Sequence, residues 1–476
     1  MIMSNLKRNR AWHRYPENPV LQPFPGNPFG ETICMNPSTL IHQGTLYLFY
    51  AADDAQGRRT IRLSTAPAAD PASLQNHGVI VDNGEPGSFD AAWCVLPQVV
   101  EIEPGTWYLY YTGNQGHGTG LSAFAGMGLA ISHDLIHWSK YSDNPVMTPA
   151  NEPGADQAAG IAGGSFLQDF DTDGSRIIRL YYTVCPSMGD DVFLDQQKRI
   201  HYAVSNDGIN WTKKGCLMER NPQHDYENIA VAGPVVRKTR EQYEMWYSAI
   251  GTRWGFYSIC YAESEDGIHW NRGDSYGENL QLGPFTRGLR GDCQPQTWDS
   301  QMVAYPAVIN EGKRDRLFYT GNGYGEGGIG MATSQPIRAV VAGTEDGCVK
   351  LWGQTAPGCQ TAYLLKHLTV GGCKCDVLQT AYGILHNGDC WIEQTYTCPD
   401  GLQTISCRIV LIHDEEGLET RLTVLNPNQE RLQNISLTVD IPASFVCVWA
   451  DQMPDGLSVP ASQPLTICGR ITIRES

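Results

Sequence analysis

Four acidic residues stand seven positions ahead of a proline or glycine at the centre of an apolar run: Asp90 before Pro97, Asp156 before Gly163, Glu227 before Pro234 and Asp299 before Pro306. One offset repeated in four copies of a unit would bring the carboxylates to a shared pocket. Converging carboxylates raise one another's pKa, so that a proton donor and an ionised partner coexist near neutrality. The expected chemistry is therefore general acid–base or nucleophilic catalysis by Asp90, Asp156, Glu227 and Asp299. The same count from Pro37 reaches Gly30, with Glu31 beside it, so one copy departs from the rule.

Further polar and aromatic residues fall where the same mouth would open. Asp53, Asn114, His117, Arg253, Trp254, Asn322 and Tyr324 follow aromatic strand-like runs, and GNQGHGTG and GNGYGEGG allow close backbone approach. With Glu31 and Asn36 they suit a polyhydroxylated ligand, against whose apolar face Trp93, Trp254 or Trp298 would stack; packing inside the fold is the competing use of each tryptophan. Asp134, Asp207 and Asp266 belong instead to the signature Ala-x-Ser-x-Asp-x-Ile-x-Trp, where turn chemistry makes them structural.

These residues are carried by an internal repeat. Five copies pair an apolar run centred on Pro or Gly with an aromatic run: NPSTLIHQGTLYLFYAAD, LPQVVEIEPGTWYLYYTGN, GGSFLQDFDTDGSRIIRLYYTV, GPVVRKTREQYEMWYSAIG and YPAVINEGKRDRLFYTGNGYG. The signature joins a third and a fourth strand in most copies. Four strands in each of five units predict an all-β fold, a five-bladed β-propeller over residues 1–342, with the segment at Asn18, Pro19 and Val20 as the last blade's outer strand. From about residue 345 alternating segments such as LETRLTVLNP predict a C-terminal β-sandwich accessory domain, 343–476.

Composition agrees with this and narrows the partners. In 476 residues there are 50 Gly, 28 Pro, 22 Tyr and 12 Trp, and the net charge of -17 disfavours nucleic acid or an anionic membrane as partner. The N-terminus lacks an apolar leader and no run is long enough to span a membrane, which predicts a cytoplasmic protein. Fifteen scattered cysteines suit buried thiols, and GGCKC has no second pair at zinc spacing. No nucleotide-binding glycine motif is present.

Runs such as GTLYLFYAA and GTWYLYYTGN, together with YAESEDGIHW, resemble the five-bladed propeller glycoside hydrolases of families 43, 32, 68 and 130. The resemblance implies a glycosidase acting on a furanoside, xyloside or mannoside, with a small carbohydrate or oligosaccharide as partner. With the chemistry moved to the seven-residue offset, Glu227 is expected as general acid, for its higher reference pKa and because the related families use Glu there, with Asp90 or Asp299 as base or nucleophile and Asp156 tuning their pKa. The resemblance allows a structural calcium ion, although no Asp-rich calcium loop is present, and no other cofactor or metal is expected. The chain departs from those families at the acids adjoining the central Pro: Asn36 precedes Pro37, Gly163 and Gly164 replace an Asp-Pro, and Ala232 lies two before Pro234. A phosphorylase, with Arg253, Arg287 and Arg290 holding phosphate, and a non-catalytic sugar-binding propeller are the alternatives. Oligomeric state is not legible.

Overall fold

The structure is a computed structural model that describes residues 10–23, 29–116, 124–154, 160–171, 174–185, 197–239, 242–273, 279–284, 298–311, 314–336, 339–343, 349–355, 358–370, 373–384, 390–401, 403–413, 418–425, 432–440, 445–449, 457–459 and 464–473. Two compact units divide the chain, one of residues 14–334 and one of 335–476, with 9–13 grouped with the second.

Among the described residues the first unit is built from antiparallel four-stranded meanders in chain order. Meander 1 comprises Ile33–His42, Thr45–Asp53, Arg59–Pro67 and Gln75–Val81. Meander 2 comprises Trp93–Glu103, Thr106–Asn114, Phe124–Ser132 and Ser139–Lys140. A single parallel bridge between Arg59 and Trp93 links the two. Meander 3 is Gly160–Phe170, Arg176–Cys185, Arg199–Ser205 and Thr212–Met218, and meander 4 is Ala230–Lys238, Tyr243–Ile250, Tyr257–Ser264 and Leu280–Leu282. Meander 5 has Ala304–Glu311, Arg314–Thr320 and Ile329–Pro336, its outermost place taken by the strand that ends at Arg14. The outer strand expected near Asn18 is therefore displaced towards the N-terminus. Leu21 makes one isolated bridge to Ile329 and the Asn18 side chain clamps the Met331 backbone, because Pro19 has no N–H to donate to a ladder there.

The second strands read as unbroken apolar runs because both of their faces are buried. In Thr45–Asp53, Tyr47, Phe49 and Ala51 pack into a cluster shared with meander 2, whereas Leu46, Leu48, Tyr50 and Ala52 pack into one shared with meander 5. Period-two alternation thus sorts residues between two neighbours rather than between core and water. Further clusters join meanders 2 and 3, 3 and 4, and 4 and 5, so packing runs from each meander to the next and from the fifth back to the first. Each fully buried large side chain contributes roughly 1.5–3 kcal/mol.

The repeated turn signature builds these seams. Asp207 Oδ1 accepts the backbone N–H groups of Ile209 and Asn210, and Ser205 Oγ accepts that of Gly208; Asp134 and Asp266 do the same in their turns. Trp138, Trp211 and Trp270 each pack on a second-strand aromatic of the preceding meander, Phe49, Tyr110 and Tyr181. The residue after the signature Asp follows that aromatic. At Gly208 and Gly267 a Cβ would stand 2.5 and 2.7 Å from the hydroxyls of Tyr110 and Tyr181, whereas Leu135 fits where the neighbour is Phe49, which has no hydroxyl. Gly208→Ala is expected to cost about 1–3 kcal/mol, from this clash and from φ of 75°, and a Tyr110→Phe background should recover part of it. Urea midpoints of the four proteins measure the coupling; equal costs in both backgrounds would remove the clash as its cause.

The second unit contains two antiparallel sheets. One is ordered Ala339–Gly343, Val349–Thr355, Gly358–Val370, Leu432–Asp440, Leu457–Val459, with Cys373–Lys374 also paired to Gly358–Val370; the other is ordered Asp376–Ile384, Cys390–Thr397, Thr404–His413, Leu418–Leu425, Pro464–Ile473, Phe445–Trp449. Among the described residues no helix is long and apolar enough to cross a membrane, and Cys34, Cys94, Cys185, Cys216, Cys260, Cys373, Cys375, Cys398 and Cys407 are free thiols, all buried except Cys216 and Cys373.

Candidate functional site

The five first strands share one irregularity. Each bulges at its centre, and the residue there takes a left-handed backbone: Asn36, Leu96, Gly163, Gly233 and Tyr305, with φ of 55°, 55°, 33°, 56° and 53°. Asn36, Leu96 and Tyr305 do so at a cost of order 1–3 kcal/mol each, which the surrounding packing must offset. In four cases the freed N–H donates to a second-strand hydroxyl of the preceding meander: Asn36 to Thr320, Gly163 to Thr112, Gly233 to Thr183 and Tyr305 to Ser248, at 2.8–2.9 Å. Ala51 stands at the corresponding place in meander 1.

These bulges surround one narrow opening, lined by residues of all five first strands including Asn36, Pro37, Pro97, Gln98, Gly164, Pro234, Tyr305 and Pro306. No carboxylate is among its described lining residues. The paired glycines of meander 3 have a steric reason: a Cβ on Gly163 would lie 2.9 Å from the Leu96 side chain, and one on Gly164 would lie 2.6 Å from the Tyr181 carbonyl oxygen. Leu96 fills the space that an acid would need.

The acids counted from the sequence lie elsewhere. Asp90 Oδ2 accepts hydrogen bonds from Tyr111 (2.8 Å) and from Lys140 Nζ (2.6 Å), and Oδ1 accepts one from Ser88. Glu227 is bound by Tyr247 (2.8 Å), His224 (2.7 Å) and Arg272 (3.3 Å). Asp299 is bound by Tyr319 (3.0 Å) and Arg14 (2.7 Å). Glu31, expected to touch ligand, has the same surroundings in meander 1: Tyr50, Arg62 and Asn76 at 3.0–3.2 Å. In meander 3 the counterpart is Glu152, bound by Tyr182, His201 and Lys213 at 2.5, 2.8 and 2.9 Å. Asp156, the sequence candidate, lies outside the described residues.

One motif is therefore repeated five times, in which a buried acid ahead of the first strand accepts from a second-strand tyrosine and pairs with a cation farther out in the same meander. The cations Arg62, Lys140, Lys213, Arg272 and Arg14 come from third strands, fourth strands or the segments beside them, and none of Asp90, Glu227 and Asp299 is among the described residues that line the opening. Each of the three is held by partners of its own meander. Burial pushes the carboxyls of Asp90 and Glu152 up, but it is outweighed by hydrogen bonds from Lys140, Ser88 and Tyr111 and from His201, Tyr182 and Lys213, leaving both below the ordinary range.

Most of the expected ligand contacts hold loops in place. The Trp93 ring lies 4.5 Å from the Arg59 guanidinium, which pairs with Asp53 at the seam of meanders 1 and 2. Asn114 is buried and accepts the Gly116 N–H, and Asn322 accepts those of Gln301 and Met302. Arg253 pairs with Asp225 at 3.0 Å and lies over Trp254, which is buried in the core between meanders 3 and 4. Trp298 packs 5.2 Å from Tyr319, in space left by Gly321 and Gly330. His117, Arg287 and Arg290 lie outside the described residues. Asn36 does line the opening, and Tyr324, itself left-handed, packs against both the cluster of meanders 1 and 2 and that of meanders 4 and 5, with its ring 6.1 Å from Tyr257.

Tyr305 and Gln98, which flank a central Pro, were missed, as was Tyr257. The signal for Tyr305 was within reach: it is the residue immediately before the central Pro, the position Asn36 holds in meander 1.

The fold has counterparts among solved structures. BT0996, in a complex with RGII, superposes with a TM-score of 0.51 at 16% identity, covering 69% of this protein and 92% of that one. A glycosyl hydrolase from Bacteroides ovatus superposes with a TM-score of 0.50 at 16% identity, covering 70% and 96%. The protein has the all-β fold of propeller glycoside hydrolases. No protein-family model matches it. An uncharacterized protein of Mycobacterium tuberculosis, found in two strains, is 35% identical over 133 residues, which is 28% of this protein and 39% of the relative. The match thus spans well under half the length of that relative.

Proposed function

We propose that residues 14–334 form a five-bladed β-propeller that takes a saccharide at its axial mouth and hydrolyses a glycosidic bond, with the second unit as a β-sandwich accessory domain. The observation that carries this reading is the ring of five left-handed bulges, which presents Asn36, Gln98 and Tyr305 around a single opening on a fold shared with glycoside hydrolases. Neutral amide and phenol groups on a rigid strained frame suit hydroxyl recognition.

A general acid must hold its proton near neutrality, and an adjacent cation works against that. Asp90 is held low beside Lys140, and Glu227 and Asp299 are bound into the same tyrosine-and-cation pairing, so the reading gives all three to the scaffold and keeps Asp156 as the candidate for the chemistry. A non-catalytic sugar-binding propeller is the second reading, favoured by Asn36 and the glycine pair standing where an acid would adjoin the bulge. The phosphorylase reading is weaker, since Arg253 is neutralised by Asp225.

A panel of aryl furanosides, xylosides and mannosides separates these readings. Turnover is expected, with Asp156→Asn reducing it about a thousandfold at unchanged melting temperature and Asn36→Ala acting chiefly on KM. Saccharide binding without turnover would give the second reading. Neither binding nor turnover would sink both.

A further inference from the structure

Lys198 stands one residue ahead of the strand Arg199–Ser205 and is only 6% exposed. Its ammonium lies 2.5 Å from the Tyr257 hydroxyl and 5.2 Å from the centre of that ring. Tyr257 in turn packs on Tyr305, with ring centres 5.6 Å apart, and Tyr305 lines the axial opening. The Lys198 carbonyl accepts the N–H of Val231, and the Tyr257 carbonyl that of Val303, so both residues lie beside the inner strands of meanders 4 and 5.

Four other cations of this unit, buried or half-buried, have carboxylates: Arg14 has Asp299, Arg62 has Glu31, Arg179 has Asp169 and Arg237 has Glu244 and Asp315. Among the described residues Lys198 has a phenol and an aromatic face, both neutral. A buried ammonium without a counter-ion is costly, by several kcal/mol or more, and a ligand anion that reaches it removes that cost and adds a charge-assisted hydrogen bond.

We infer that the axial mouth contains an anion subsite in which Lys198, with the hydroxyls of Tyr257 and Tyr305, receives a carboxylate or phosphate group borne by the saccharide. This rests on the mouth being the saccharide site, and it narrows the substrate to an acidic or phosphorylated sugar. The net charge of -17 repels anions at long range, so selection falls to this local contact.

Melting of the full chain at constant ionic strength with inorganic phosphate, glucuronate or the neutral glycoside panel tests the inference. Phosphate or glucuronate is expected to raise the melting temperature by mass action, and Lys198→Met to weaken the response at least about tenfold. Tyr305→Phe, which keeps the ammonium and its burial, is the variant to read if Lys198→Met does not fold, and it should weaken the response in the same direction. A response to phosphate alone identifies a phosphorylated sugar, and one to glucuronate alone a uronate. No response to either anion, or an unaltered response in both variants, overturns the inference. Binding of neutral glycosides without an anion response would leave the mouth as saccharide site and remove only the subsite; an anion response with no glycoside effect would do the reverse.

Discussion

Arg14→Ala is expected to destabilise the first unit by about 3–5 kcal/mol, the cost of leaving a buried carboxylate without its partner. Arg14 Nε lies 2.7 Å from Asp299 Oδ2 with side chains 7% and 2% exposed, and its Nη2 donates to the Gly283 carbonyl at 2.9 Å. The pair joins residues 285 apart and fastens an N-terminal strand onto meander 5. Urea denaturation would show a lowered midpoint with an unchanged slope. Arg14→Met combined with Asp299→Leu should recover most of the loss, because a buried ion pair exchanged for apolar packing is often near neutral. A single variant within about 0.5 kcal/mol of the parent would show that the pair does not hold this closure. The same chemistry separates scaffold from catalyst: Asp299→Asn should lower stability while leaving turnover per folded molecule nearly unchanged, whereas a catalytic carboxylate lost there would cost about a thousandfold.

Acid should unfold the protein steeply below about pH 4. Asp90, Glu152 and Asp169 are buried, and burial raises their pKa; their bonds to Lys140, His201 and Lys238 outweigh that and hold them below the ordinary range. In the signature turns burial also raises Asp207 and Asp266, but turn N–H groups and side-chain hydrogen bonds hold both low, Asp207 at about 2; hydrogen bonds from His137 lead in holding Asp134 low. A depressed native pKa means that the unfolded chain takes up protons first. The stabilisation is thus complete above the unfolded values of roughly 3.9–4.3 and is lost as pH falls through the native ones. Each buried carboxylate contributes a slope of up to about 1.4 kcal/mol per pH unit, and the exposed turn aspartates contribute less because solvent screens them. Melting temperatures are expected to be flat from pH 7 to about 5 and to fall sharply between about 4 and 2. A profile unchanged down to pH 2 would contradict these pairings.

Much of the frame was readable because it repeats. The doubly apolar second strands, the turn signature and the central Pro or Gly each recur with local spacing, and local spacing fixes strand, turn and bulge. The seven-residue offset was also real for Asp90, Glu227 and Asp299, whose shared surroundings explain it. Meander 3 breaks the count: the counterpart of those three acids is Glu152, which stands more than seven residues ahead of Gly163.

That an acid precedes each first strand, and that a Pro or Gly stands at its centre, was written in local residue order alone. Direction was decided by the tertiary structure, because the partners lie far along the chain: Tyr111 is 21 residues from Asp90, Lys140 is 50, and Arg14 is 285 from Asp299. A carboxylate in low dielectric goes where hydrogen bonds and a cation compensate its charge. Here those groups stand on second strands and farther out in the same meander, and the described lining of the opening between the bulges holds Asn36, Gln98 and Tyr305 and no carboxylate.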